Sequence, residues 1–458
     1  MTQSLKTIAI IPARGGSKGI PRKNIRDLNG KPLIWYTIHT ALDSGCFTEV
    51  LLSTDDDEIA HVGAECGATI HKRPAHLASD QATLDPVVFD AVGGEPENYD
   101  LIVTLQPTCP LLKVDTLREA LSKMISEPNI DTLLSVTNDP RLAWIEKDGK
   151  IVPGYEERVN RQQLPPYYRE TGAFFISRSR CVKENSRFGE KVGVFEVSPM
   201  EAIDIDTIAD WWIVEKYLKT LKIALRVDGN RSIGFGHVYR MLLLANRLFD
   251  HRVEFFLDQK DEEAVDKVRK SFYPLVAGER ENLPGLVLER QPDIVIHDIL
   301  DTTAEGLSPF KQKGIFTVNF EDLGPGIAEA DLVINALYET DIPYPHVYSG
   351  PDYYCLREDF AHTQIRELSP EVQKIVVSFG GADPSDLTAK TVKTLAEFLK
   401  DRNVQVGIVL GLGYPVDAEK KLESDLERNG LPEKIVLKRN VASMAAAMKE
   451  ADLILTSC

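Results

Sequence analysis

A short apolar run followed at once by glycines and cations constrains this chain more than any other stretch in it. Ile8-Ala9-Ile10-Ile11 is closed by Pro12, the pattern of a strand buried on both faces. Gly15, Gly16 and Gly19 come next, with Arg14, Ser17, Lys18, Arg22 and Lys23 set among them. Glycines let successive backbone N–H groups turn toward one anion, and cations neutralise what those groups hold. At the end of the first strand of an α/β sheet, such a loop is where a nucleoside triphosphate sits. It is neither of the common phosphate fingerprints. Ile20 stands where a Walker A loop needs Gly followed by Lys, and G-x-G-x-x-G is absent. Read alone, the loop also fits a solvated basic turn.

At 458 residues the chain is too long for one ordinary domain. A net charge of −17 argues against nucleic acid or an anionic membrane as partner, but not against a nucleotide, which needs only local cations. The six cysteines are scattered with no C-x-x-C pair, so neither a zinc site nor a disulfide framework is suggested. No leader pattern precedes the first strand, no apolar run reaches membrane-spanning length, and the chain reads as cytoplasmic. Strand and helix patterns alternate from the first strand to a strong helix over Thr207–Leu221, which implies a mostly parallel sheet covered on both faces. The segment Asn138–Arg169, rich in Pro, Arg and Tyr, breaks that rhythm and is expected to project from the sheet. New first-strand signals come at Leu221–Val227 and Lys374–Ser378. The expected fold is therefore α/β throughout. A Rossmann-like nucleotide-binding domain over residues 1–220 is expected to precede a GT-B-like tandem Rossmann unit over residues 221–367 and 368–458, incomplete at its C-terminal end.

Two carboxylates face the loop in this reading. Asp204 and Asp206 are two apart, so in an extended segment their side chains point the same way and suit a hard, oxygen-ligated ion such as Mg²⁺. The alternative is that they start the following helix, with Asp206 as its cap. Arg14 and Lys23 are the charged clamp on the triphosphate, with the Gly15–Gly19 backbone as cradle.

The stretch IIPARGGSKGIPRKNI resembles the nucleotide-binding signature of the N-acylneuraminate cytidylyltransferases, which make CMP-sialic acids. Four further stretches resemble that family in order: Arg73–Thr83, Leu105–Leu112, Arg161–Ile176 and Glu201–Glu215. The resemblance implies transfer of CMP from CTP to the anomeric hydroxyl of a nine-carbon keto-acid sugar, with Mg²⁺ and release of pyrophosphate. It also implies a homodimer or higher homo-oligomer in which the projecting segment completes a neighbour's site. It places Asn24, Arg73 and Ser79 near the cytidine, and Gln106, Arg161 and Arg169 near the acidic sugar. Arginine is apt there because its fork holds a carboxylate bidentately. Without the family context, Arg161 pairing with a surface acid and Gln106 capping a strand end are the plainer readings. Cys109 and Leu112 stand where the family usually has Ser and Arg, and Thr171 where it usually has Asn. Sialic, legionaminic and pseudaminic acids therefore all stay open as the sugar, and the general base is unassigned.

In the second half, Gly234-Phe235-Gly236-His237 brings an imidazole to the end of a first strand, the usual catalytic edge of an open α/β sheet. An isolated histidine there more commonly caps or packs. The context RVDGNRSIGFGHVYR resembles UDP-sugar hydrolases of the pseudaminic acid pathway and their spore-coat polysaccharide relatives, as do His297-Asp298, Asn319–Leu323, Gly350–Phe360 and Ser378–Pro384. The resemblance implies hydrolysis of a UDP-linked diacetamido sugar with His237 as base. Because the sequence stops at Thr456-Ser457-Cys458, short of the loop with which such hydrolases bind UDP, a dead or very weak hydrolase is expected beside a competent cytidylyltransferase. A GT-B glycosyltransferase and a non-catalytic scaffold are the alternatives for this unit.

Overall fold

The run Thr7–Pro12 forms the central strand of the first sheet, with Ile8, Ala9, Ile10 and Ile11 all fully buried. In a computed structural model the described residues are 5–456 apart from 231, 338–343, 362, 365–369, 382, 400–401, 412, 429, 432, 440 and 442. The chain divides into two compact units, Met1–Lys219 and Thr220–Cys458.

The seven-stranded sheet of the first unit runs, edge to edge, Val192–Glu196, Thr132–Asn138, Tyr168–Arg178, Leu101–Thr104, Thr7–Pro12, Glu49–Thr54 and Thr69–Lys72. All its pairings are parallel except those of Tyr168–Arg178, which runs antiparallel to both neighbours. The chain fills one side of the central strand first and then crosses to the other. The C-terminal end of Thr7–Pro12 is therefore a topological switch point, where an open α/β sheet leaves a crevice for ligand. Helix Leu33–Ser44 buries Ile34, Ile38 and Ala41 against this sheet at helical spacing and stops at Gly45, whose φ of 64° only glycine adopts readily.

The excursion expected over Asn138–Arg169 contains a two-stranded hairpin, Trp144–Lys147 with Lys150–Pro153, that pairs with no other strand among the described residues. Trp144, Ile145 and Ile151 are exposed on it. The return strand carries a register shift between Glu170 and Phe175. That bulge brings Gly172 against Gln106 and Cys109, where an added Cβ would lie 3.1 Å from the glutamine Cδ and the cysteine sulfur.

The second unit holds two all-parallel sheets. The larger runs Leu275–Gly278, Arg252–Asp258, Lys222–Val227, Ile294–Asp298, Phe316–Phe320, Leu332–Asn335 and Val347–Ser349. The smaller runs Ile435–Arg439, Gln405–Leu410, Lys374–Ser378 and Leu453–Thr456. Ala382, Ser457 and Cys458 of the sequence reading lie outside the described residues. Among those described, no helix is long and apolar enough to cross a membrane.

Candidate active site

The glycine loop leaves the central strand and is tied down by its neighbours rather than standing open. The Gly15 N–H donates to Asp55 Oδ1 at 3.0 Å and the Ser17 N–H to the Gly15 carbonyl at 3.1 Å. Within the cradle expected over Gly15–Gly19, these two N–H groups are therefore bonded within the protein. A Cβ on Gly15 would lie 2.7 Å from Asp56 Oδ2, so that position is glycine for want of space. Asn24 is buried and donates to the Arg14 carbonyl at 3.0 Å, closing the loop on itself.

The cations of the loop are all paired. Arg14 Nη1 lies 2.9 Å from Asp80 Oδ1, and Lys18 Nζ lies 2.5 Å from Asp80 Oδ2. Arg22 reaches Asp56 and Glu58. Lys23 donates to the Ile205 carbonyl at 2.5 Å and sits 3.3 Å from Asp206 Oδ1. Lys23 thus bolts the glycine loop to the carboxylate segment, which a second bond, Ile205 N–H to the Thr108 carbonyl at 2.8 Å, fixes from the other side.

Asp204 and Asp206 flank the fully buried Ile205. Asp206 is mostly exposed, while Asp204 Oδ1 is buried with no hydrogen-bond partner among the described residues. Burial pushes the Asp204 carboxyl above its ordinary range, and the nearby Asp206 charge adds to the rise. Asp206 does not cap the helix, contrary to the alternative reading. Thr207 is the N-cap of Ile208–Leu218, and it forms a reciprocal capping box with Asp210. Neither aspartate side chain is therefore spent on capping the helix. No group of three or more His, Cys, Asp or Glu is placed for a metal among the described residues. Mg²⁺, however, is commonly held by one or two carboxylates with substrate phosphates completing its shell, and an orphaned buried oxygen beside an exposed carboxylate fits that donor set.

The nucleoside and sugar candidates divide. Arg73 is buried, and its guanidinium donates to the Ser53 carbonyl at 2.7 Å and to the Ser53 hydroxyl at 3.2 Å. Ser79 is exposed on the same segment as Asp80. Gln106 lines a cavity of about 300 Å³ together with Thr171, Phe175, Asp85 and Arg187. Arg161 and Arg169 are exposed, and Arg161 pairs with Asp139 at 3.2 Å, the surface ion pair named as its plainer reading. Sequence reasoning missed Asp55 and Asp80. Three aspartates directly after the strand Glu49–Thr54 were the available signal for the first, and the position next to Ser79 for the second.

In the second unit, the loop after Lys222–Val227 and the end of Ile294–Asp298 meet across that sheet's own switch point. His237 Nδ1 lies 2.6 Å from Asp298 Oδ1. Arg240 grips Asp298 with two nitrogens, at 2.7 and 2.8 Å, and reaches Glu321 Oε1 at 3.3 Å. His297 is not part of this cluster. It is fully buried, its ring packs 5.3 Å from Phe310, and burial lowers it to about 3. Asp383, in the second glycine stretch, caps helix Leu387–Phe398 through the Leu387 and Thr388 N–H groups.

The first unit is thus of the nucleotidyltransferase class, with a cationic glycine loop bolted to a carboxylate pair at the switch point of a mostly parallel sheet. Residues 8–210 match the family model described as Cytidylyltransferase. Pseudaminic acid cytidylyltransferase of Campylobacter jejuni is 37% identical over 217 residues, which cover 45% of this chain and 93% of that protein. CMP-N,N'-diacetyllegionaminic acid synthase of Legionella pneumophila is 32% identical over 233 residues, 48% of this chain and 100% of that one. N-acylneuraminate cytidylyltransferase A of Danio rerio is 34% identical over 217 residues, 45% of this chain but only 50% of the fish protein. The chain belongs to the cytidylyltransferase family and is a nucleotidyltransferase of the CMP-sialic acid synthetase type. The family match ends at residue 210, before the second unit begins.

Proposed function

We propose that this chain transfers CMP from CTP to the anomeric hydroxyl of a nonulosonic acid and releases pyrophosphate. The observation that carries the reading is Lys23, which joins the phosphate loop to Asp206 and so sets cations and carboxylates around one reaction centre. Relatives named for pseudaminic, diacetyllegionaminic and N-acylneuraminic acids support an acidic nine-carbon sugar as acceptor. Arg14, Lys18 and Lys23 take the triphosphate, and Asn24, Arg73 and Ser79 border the cytidine. Gln106 orients the sugar beside the α-phosphorus, and Arg161 and Arg169 hold its carboxylate. Mg²⁺ held by Asp204 and Asp206 would offset the charge that develops on the phosphate oxygens. The exposed apolar hairpin at Trp144–Pro153 supports a homodimer built on the projecting segment, and the protein is proposed to work in the cytoplasm. Asp206→Asn tests the reading, since it removes one charge at constant volume. CMP transfer should fall by more than about 100-fold with the fold intact, and a change within about threefold would remove the metal assignment.

A second reading concerns the second unit, and the His237–Asp298 contact favours it. As a GT-B-like hydrolase of a UDP-sugar, it would use His237 Nε2 to take a proton from water while Asp298 accepts the Nδ1–H. The water oxygen would bond to the anomeric carbon, and the old C–O bond electrons would leave with UDP. UDP release that His237→Ala abolishes would support this reading; release indifferent to that change would end it.

A further inference from the structure

Every cation on the phosphate loop has a protein partner, and among the described residues Asp80 is the partner that bridges two of them. Asp56 caps helix Asp57–Glu65 through the Glu58 and Ile59 N–H groups besides pairing with Arg22. Asp206 belongs to the carboxylate segment. Asp80 does neither: its two oxygens are divided between Arg14 and Lys18, one each, at 2.9 and 2.5 Å, and its side chain is half exposed. A single carboxylate bridging the two cations proposed for the triphosphate holds them as a phosphate group would. It carries one negative charge, where a triphosphate or pyrophosphate carries several.

We propose that Asp80 is the competing counter-ion of the phosphate site, displaced from Arg14 and Lys18 when CTP arrives and returning to them as pyrophosphate leaves. This rests on the reading that Arg14 and Lys18 hold the triphosphate. In the free protein the carboxylate occupies the charge of both cations, so an arriving anion must displace it. An exposed ion pair contributes little, so the exchange costs CTP little affinity. The same competition acts on the product. Pyrophosphate bound by the loop must outbid a tethered carboxylate at high effective concentration, which shortens its stay. Asp80 is therefore a residue for release as much as for binding, and it acts through Arg14 and Lys18 rather than on the reacting atoms.

The test is Asp80→Asn in the full chain, read by calorimetric binding of magnesium pyrophosphate alone and by steady-state KM for CTP. Pyrophosphate should bind about two- to fivefold more tightly, KM for CTP should fall by a similar factor, and the gain should shrink at high salt. Asp80→Glu, which keeps the charge, should stay within about twofold of the parent. Unchanged or weakened pyrophosphate binding in Asp80→Asn would overturn the inference and make Asp80 a support for the two cations. A combined Arg14→Gln and Lys18→Gln variant separates the premises. If it fails to weaken pyrophosphate, the phosphate-loop reading itself falls. If it weakens pyrophosphate while Asp80→Asn does not tighten it, only the counter-ion role is lost.

Discussion

Gly19→Ala should disable this enzyme while Gly16→Ala barely touches it, although both glycines lie on the same exposed loop. Neither has a positive φ, so an alanine there strains no backbone dihedral, and the contrast isolates space alone. A Cβ on Gly16 would meet nothing within 4 Å. On Gly19 it would lie 2.5 Å from the Asp206 carbonyl oxygen, against 3.4 Å where ordinary contact begins, a shortfall of about 0.9 Å. The obstacle is backbone, so no rotamer change relieves it. The segment carrying Asp204 and Asp206 is also held by Lys23 on one side and the Thr108 carbonyl on the other. Either the loop or the carboxylate segment must move by most of that shortfall. Overpacking of this kind costs about 1–3 kcal/mol, and a displacement near 1 Å between reacting groups costs on the order of 100-fold in rate. Pyrophosphate release under saturating CTP and sugar should therefore fall by about two orders of magnitude in Gly19→Ala, with the melting temperature down by only a few degrees. Gly16→Ala should stay within about threefold of the parent. Equal rates in the two variants would show that the spacing between loop and carboxylates does not control the chemistry.

Two further outcomes follow from particular side chains. Arg161→Lys should raise KM for the sugar much more than KM for CTP, because a point charge cannot replace a planar fork on a carboxylate; an equal loss against both would move Arg161 to the phosphates or to structure. His297 should make the second unit acid-sensitive. Its folded value of about 3 lies below the unfolded value of 6.5, so the unfolded chain binds the extra proton and stability falls as pH drops through 6.5, down to about 3. Between about pH 6.5 and pH 5 the loss amounts to about 2 kcal/mol, which urea unfolding at the two pH values would read. His297→Leu should flatten that dependence, and an unchanged pH slope in this variant would place the acid sensitivity elsewhere.

The first unit was legible to the extent that its chemistry is written in consecutive residues. The buried strand, the glycine loop and the two aspartates flanking Ile205 announce themselves by spacing, and the strands Glu49–Thr54 and Leu101–Thr104 fall within a residue or so of their apolar patterns. Strand direction was not legible. The run Ala173-Phe174-Phe175-Ile176 reads as a strand either way, and it is the excursion through the hairpin that returns it antiparallel. Long-range pairing was equally hidden. Nothing local in RPAHLASDQAT says that its aspartate closes on Arg14 and Lys18, or that Arg73 turns inward to Ser53. Which residue caps the helix stayed open in the sequence, because Asp206 and Thr207 are adjacent capping types. The choice between them rests on Asp210, placed to return the bond to the Thr207 backbone. In the second unit, the place of His237 at a helix start was legible from its glycines, whereas Asp298 came to it only from the end of another strand, and Arg240, one turn along the same helix, shares that carboxylate.

The most direct test of the account is to supply the protein with CTP, Mg²⁺ and, in separate reactions, N-acetylneuraminic, legionaminic and pseudaminic acids, and to follow phosphorus by NMR. At least one of the three should yield pyrophosphate and a CMP-sugar in equal amounts, and Asp206→Asn should abolish both signals. Pyrophosphate and CMP-sugar from none of the three, with CTP left intact, would contradict it.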